Sequence, residues 1–186
     1  MYHTREEPMQ RVSAVLVAVF TLASNASAQT KITGKMACAK PEVNSMADVG
    51  DAAGHMLMLQ KSTCTWSTPW DVGGAKTKTA VDASTAEMKG MTGSVRGYNT
   101  STLDNGDKVT VSYQGPMQMH KDSTGSFSGT WKFTRGTGKA KGIKGGGTYK
   151  GTGAADGSGT VEIEGEYTME PEKAAPAKKT EAPKKP

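Results

Sequence analysis

Two short segments that combine methionine and histidine are the first candidates for chemistry in this chain of 186 residues. They read His55-Met56-Leu57-Met58 and Met117-Gln118-Met119-His120. Alternate side chains of a β-strand share a face, so each segment would place two thioether sulfurs side by side. Thioethers and imidazoles suit Cu(I), which makes a candidate copper set of His55, Met56, Met117, Met119 and His120. Methionine also fills irregular cores, and that interpretation stays open.

Patterns for other catalytic chemistry are weak. A nucleophilic triad needs a positioned base, and the chain after residue 28 contains two histidines, neither within a G-x-S-x-G or H-E-x-x-H pattern. The glycine-rich segment 135–147 lacks G-x-G-x-x-G because Lys141 occupies the third glycine position. Its run Gly145-Gly146-Gly147 also disfavours the helix that a phosphate loop requires. The sequence therefore predicts no cofactor and gives no positive indication of an enzyme.

Cys38 and Cys64 are the only two cysteines of the chain. An even pair in an exported protein predicts one disulfide. Neither cysteine belongs to a C-x-x-C or a Cys/His zinc spacing, so a metal site or a reactive thiol is the weaker interpretation.

Both ends differ in composition from the central part. An apolar run over 12–22 follows Arg11 and precedes Ala26-Ser27-Ala28, the layout of a secretory signal peptide. We therefore predict a signal peptide over 1–28 and a periplasmic or secreted protein, with Met1 and Met9 both possible starts. Residues 170–186 are rich in Lys, Pro and Ala and predict a disordered tail.

The charge balance limits the partners. Residues 29–169 carry 16 basic and 13 acidic residues, a mild excess that does not call for nucleic acid. The tail carries five Lys and three Glu, so it could touch an anionic envelope surface or serve as a solubilising spacer. The oligomeric state is left open.

Between the ends, short segments with strand signals alternate with turns. Strands are predicted at 30–38, 55–66, 76–81, 94–102, 108–114 with a continuation to 120, 126–133, 147–151 and 160–169. The stretch 40–54 carries few strand signals, and Asn105-Gly106 predicts a hairpin turn. With 23 glycines the chain disfavours a helical bundle. We predict an all-β domain over 29–169: a small closed antiparallel β-barrel of about eight strands.

Aromatic and aliphatic side chains at a spacing of two residues predict the barrel interior. Phe127, Trp131 and Phe133 share one face of a strand, and Val109, Val111 and Tyr113 share a face of its neighbour. A barrel of this size can enclose one small ligand. The candidate lining residues of such a cavity are Met56, Met58, Val111, Tyr113, Trp131 and Phe133.

One segment resembles a known family. The run from Gly129 to Lys139, followed by 141–145 and Gly147-Thr148-Tyr149, is similar to the strand–GGTG–strand segment of allene oxide cyclase-like and dirigent-like barrels. Arg135 stands where the first glycine of the usual pair would be. The resemblance covers about residues 126–151 and implies an eight-stranded antiparallel barrel with an apolar cavity, as in small exported bacterial proteins of no established role. It assigns no catalytic residue.

Three functions follow as hypotheses. The first is a non-catalytic exported barrel that binds a small apolar ligand or serves the cell envelope. The second is an isomerase or cyclase that acts by the shape of its cavity. The third is a copper-binding module built from the methionine and histidine segments.

Overall fold

The computed structural model describes residues 29–169, which form ten β-strands and one short 3-10 turn. The predicted signal peptide and the predicted tail lie outside the described residues. Residues 29–169 contain no helix long and apolar enough to cross a membrane. The strands are β1 (Thr30–Cys38), β2 (Val43–Asp48), β3 (His55–Thr68), β4 (Asp71–Val72), β5 (Ala75–Lys89), β6 (Thr92–Leu103), β7 (Lys108–Met119), β8 (Gly125–Gly136), β9 (Ile143–Gly153) and β10 (Gly159–Met169).

Eight of these strands close into an antiparallel barrel. The order β3-β1-β10-β9-β8-β7-β6-β5 is closed by the pairing of β3 with β5. The predicted fold class is therefore confirmed. Closure pairs both edges of each wall strand and leaves few exposed backbone groups to recruit another chain.

The prediction that 40–54 is irregular is wrong in part, because β2 lies within it. β2 pairs with the first half of β3, from Val43 opposite Lys61 to Asp48 opposite Met56. All six of its residues are exposed, so no apolar alternation marks it in the sequence. β2 and the half of β3 that it pairs form a part of the sheet that we call the sheet extension, since β1 covers only the second half of β3.

The strand β5 is longer than its sequence pattern predicts. β5 reaches Lys89 rather than residue 81, because Asp82, Ser84 and Ala86, the first three inner positions after residue 81, are small or polar and give no alternation of hydrophobicity. β7 runs through Gly115-Pro116 to Met119, in line with its predicted continuation, and Pro116 lies opposite Ser94 of β6.

Glycines opposite aromatic rings explain the packing of the interior. The ring of Trp131 lies against Gly165, where a Cβ atom would come within 2.6 Å of it. Tyr113 crosses Gly97 in the same way, with its hydroxyl 2.6 Å from the position of a Cβ. Such close approaches need a residue without a side chain, which is why a barrel with so many rings also contains many glycines.

The predicted Asn105-Gly106 turn and the glycine-rich segment 135–147 both form tight connections. Gly106, with φ of 87°, completes the β6–β7 turn, and its N–H donates to the carbonyl of Leu103. The glycine-rich segment holds the 3-10 turn Gly138–Ala140, in which Ala140 is buried. Asp107 accepts the N–H of Lys139, so this connection is fastened to the neighbouring turn.

The cysteines are bonded as predicted. Cys38 and Cys64 lie directly opposite each other on β1 and β3, with their sulfur atoms 2.02 Å apart. The disulfide lies where the chain leaves the barrel wall for the sheet extension.

Candidate ligand cavity

The barrel encloses a cavity of about 170 Å³. An apolar cavity of about this size, roughly 150 Å³, holds a benzene molecule in another protein. All three tryptophans of the chain line it. The aromatic lining residues are Trp66, Trp70, Tyr113, Phe127, Trp131 and Tyr149.

A chain of hydrogen bonds runs along one wall of the cavity. The indole N–H of Trp66 donates to Ser101 Oγ at 3.0 Å, and Ser101 donates to Asn99 Oδ1 at 3.1 Å. Asn99 Nδ2 then donates to Asp82 Oδ2 at 3.3 Å. The hydroxyl of Tyr113 donates to the other oxygen of Asp82 at 2.8 Å. The network ends on a single carboxyl group that faces the cavity.

Burial controls the protonation of this carboxyl group. Desolvation raises the pKa of Asp82 above its ordinary value, against the opposing effect of the hydrogen bonds from Tyr113 and Asn99. Burial and the nearby carboxylate also raise the pKa of Tyr113, so that hydroxyl keeps its proton and remains a donor to Asp82. Asp82 is thus a group that can gain or lose a proton inside an apolar chamber.

Two polar atoms of the cavity wall are unused within the described part of the chain. The hydroxyl of Tyr149 and the indole N–H of Trp70 are buried and have no hydrogen-bond partner there. Leaving such a group unpaired costs about 1–3 kcal/mol. Because both residues line the cavity, a bound molecule with polar atoms is a natural partner for them.

The structure places the six predicted cavity residues in two groups. Val111, Tyr113 and Trp131 line the cavity. Met56, Met58 and Phe133 are not among the lining residues. The two methionines lie on the inner side of the sheet extension, because β3 is longer than the barrel wall. Phe133 packs against Trp131 and Trp70, with ring centroids 5.2 and 5.5 Å apart.

Sequence reasoning missed Asp82, Asn99 and Tyr149. On β6 the pattern is misleading, because Tyr98 is 59% exposed whereas the polar Asn99 beside it is 4% exposed. A prediction from hydrophobicity alone would therefore place Tyr98 inside the barrel and Asn99 outside, the reverse of what the structure shows. A usable signal lies in the register: Asn99 is opposite Asp82 on β5 and Val111 on β7, a residue already predicted to face inward.

The candidate copper ligands lie on different faces. Met56, Met117 and Met119 face the inner side of their strands, whereas His55 lies on the outer face. Both ring nitrogens of His55 are already engaged, Nδ1 by Asp51 at 2.5 Å and Nε2 by Glu87 at 2.9 Å. His120 lies in the β7–β8 turn, where its backbone N–H donates to the backbone carbonyl of Thr124. Within residues 29–169, no group of three or more His, Cys, Asp or Glu side chains is arranged to hold a metal ion.

His55 instead makes the sheet extension sensitive to pH. Hydrogen bonds to Asp51 and then Glu87 raise its pKa, and the bond to His55 lowers the pKa of Asp51. The stabilisation from protonated His55 is complete below the unfolded pKa of about 6.5 and is lost as pH rises through the higher folded value. The contribution of Asp51 is lost as pH falls through its lowered folded pKa.

We therefore expect His55→Gln to lower the melting temperature most between about pH 4 and pH 6.5, with a smaller difference from wild type above pH 8. Thermal unfolding of both proteins across pH 4–9 measures this. Asn44→Gln, on the exposed strand β2, is the control and should shift melting equally at every pH. A wild-type minus His55→Gln difference that is constant over this range would contradict the role of the charged pair.

No protein-family model matches this sequence, and no curated protein is significantly similar to it.

Proposed function

We propose that the protein is an exported, non-catalytic binding protein that holds one small, largely apolar molecule in the barrel. The observation that carries the proposal is the aromatic cavity of about 170 Å³ with unpaired polar atoms in its wall. Ligand pockets characteristically combine mainly apolar walls with a few placed polar groups. Export is supported by the predicted signal peptide and is compatible with the disulfide.

Filling the cavity should abolish binding without loss of the fold. Ala86 lines the cavity on β5, and Ala86→Phe would place a ring in the space that a ligand needs. We expect this variant to bind tert-butylbenzene, a neutral apolar probe, at least tenfold more weakly than wild type. Tryptophan fluorescence measures the affinity directly, since all three tryptophans line the cavity.

Ala83→Phe is the matched control, because Ala83 is on the same strand and is exposed on the outer face. It should bind the probe as wild type does, and circular dichroism should show the same fold for both variants. Equal binding by Ala86→Phe and Ala83→Phe would refute the proposal, as would a wild-type protein that binds neither tert-butylbenzene nor a charged molecule of the same shape.

A second candidate, an isomerase, is favoured by the position of Asp82, because this carboxyl group faces an apolar cavity and burial raises its pKa. The resemblance to allene oxide cyclase-like barrels also supports it. Ligand extracted from the wild-type protein and from Asp82→Asn distinguishes the two functions. If the barrel only binds, chromatography should recover the same compound from both proteins. If Asp82 catalyses an isomerisation, the compound from wild type and the compound from Asp82→Asn should be two different isomers of equal mass.

A further inference from the structure

The ionisable groups that line the cavity can carry negative charge but no positive charge. Asp82 supplies the one carboxyl group among the lining residues, and no lining residue within 29–169 is lysine, arginine or histidine. The other ionisable groups there are the hydroxyls of Tyr113 and Tyr149, and Tyr149 has a pKa raised to about 12 by burial. At neutral pH the only formal charge that this wall can carry is negative.

Two tyrosine rings lie close to this carboxyl group, and a phenylalanine ring packs against one of them. Tyr113 donates to Asp82, and its ring lies 5.4 Å from the ring of Tyr149 in a T-shaped contact. The ring of Phe127 is 6.4 Å from that of Tyr149. Asp82 also lies close enough to Tyr149 for its charge to raise the pKa of that hydroxyl. Aromatic faces attract cations through the ring quadrupole, and clusters of such faces are used to bind ammonium groups.

We infer that the ligand of the cavity is a small organic cation, an alkyl- or aryl-ammonium whose charged nitrogen lies beside Asp82 and whose apolar part contacts the tryptophans. This inference rests on the proposed binding function and specifies the chemical class of its ligand. An anionic ligand such as a fatty acid would meet a carboxylate and no compensating base. A neutral hydrocarbon would fill the space without gaining the attraction to the carboxylate that a cation gains in a low-dielectric interior.

The arrangement also predicts how the affinity depends on pH. The groups that face Asp82 are Tyr113 from β7 and Tyr149 from β9, together with the neutral Asn99 from β6 and Ser62, its partner on β3. Neither tyrosine titrates near neutral pH, so Asp82 governs the response. A cation favours ionised Asp82, so its affinity rises with pH until that carboxyl group is fully ionised in the free protein.

Phenyltrimethylammonium and tert-butylbenzene provide the test, because they have the same shape and differ by one positive charge. Tryptophan fluorescence titrations of the wild-type protein and of Asp82→Asn give the dissociation constants, with benzoate as an anionic probe. For wild type at neutral pH we expect the cation to bind at least tenfold more tightly than tert-butylbenzene, and benzoate to bind more weakly than both. Asp82→Asn should reduce the preference for the cation over tert-butylbenzene to less than twofold.

A pH series on the wild-type protein gives an answer that does not require the variant to fold. The affinity for phenyltrimethylammonium should rise between pH 4 and pH 8, whereas that for tert-butylbenzene should stay constant. Equal affinities for the two probes, or tighter binding of benzoate, would overturn the cation assignment and leave the binding function standing. If none of the three probes binds, the binding function fails, and the cation assignment fails with it.

Discussion

Replacing Trp131 with alanine is expected to lower the free energy of unfolding by about 3–5 kcal/mol, the usual cost of deleting a large buried aromatic side chain. Trp131 is 5% exposed, and its ring packs against Phe133 and Trp70 at centroid distances of 5.2 and 6.3 Å. Its indole N–H donates to the carbonyl of Thr148 at 3.0 Å. Urea unfolding followed by circular dichroism measures the loss.

Lys139→Ala provides the control for this measurement. Lys139 is exposed in the 3-10 turn, and the contact that fixes it to Asp107 uses its backbone N–H, which alanine keeps. We expect its urea midpoint to correspond to a change of less than about 0.5 kcal/mol in the free energy of unfolding. If Trp131→Ala unfolded at the wild-type midpoint, the ring would contribute no packing, and the inward orientation of β8 would be incorrect.

The fold could be predicted where one face of a strand differs sharply from the other. On β8, Phe127, Trp131 and Phe133 fix the strand and its orientation, because a one-residue slip would turn three rings into water. β2 escaped prediction because a strand exposed on both faces has no pattern that hydrophobicity can reveal. Its position depends on the backbone of β3, a non-local interaction that no local sequence signal records.

The candidate site was predictable only in its apolar half. Val111, Tyr113 and Trp131 followed from alternation, whereas Asp82 and Asn99 are polar residues at inner positions, where a pattern of hydrophobicity predicts the opposite. What makes these polar residues acceptable inside is a partner on another strand, as Tyr113 is for Asp82. Such partners are identified by the register between strands, which the sequence does not state directly.

Removing the Cys38–Cys64 disulfide is expected to lower the free energy of unfolding by about 3.5 kcal/mol, the chain-entropy effect of opening a loop of this length. The two cysteines are 26 residues apart in sequence, and the segment between them contains β2, which has no buried residue. Because this loop is long, the unfolded chain gains conformational entropy when the bond is lost. The double variant Cys38→Ala/Cys64→Ala avoids placing a hydroxyl at position 64, where the cysteine is 1% exposed. Urea unfolding of wild type and double variant gives the difference.

Reduction provides the internal control, because dithiothreitol should bring the wild-type midpoint to that of the double variant and leave the variant unchanged. The protein for this experiment is purified from the periplasm after expression with its own residues 1–28, so the same sample also tests export. Thiol labelling of this protein, denatured but not reduced, should find no free thiol. Two titratable thiols would show that the bond does not form in the cell, and equal stabilities with and without the bond would show that β1 and β3 hold this loop by their pairing alone.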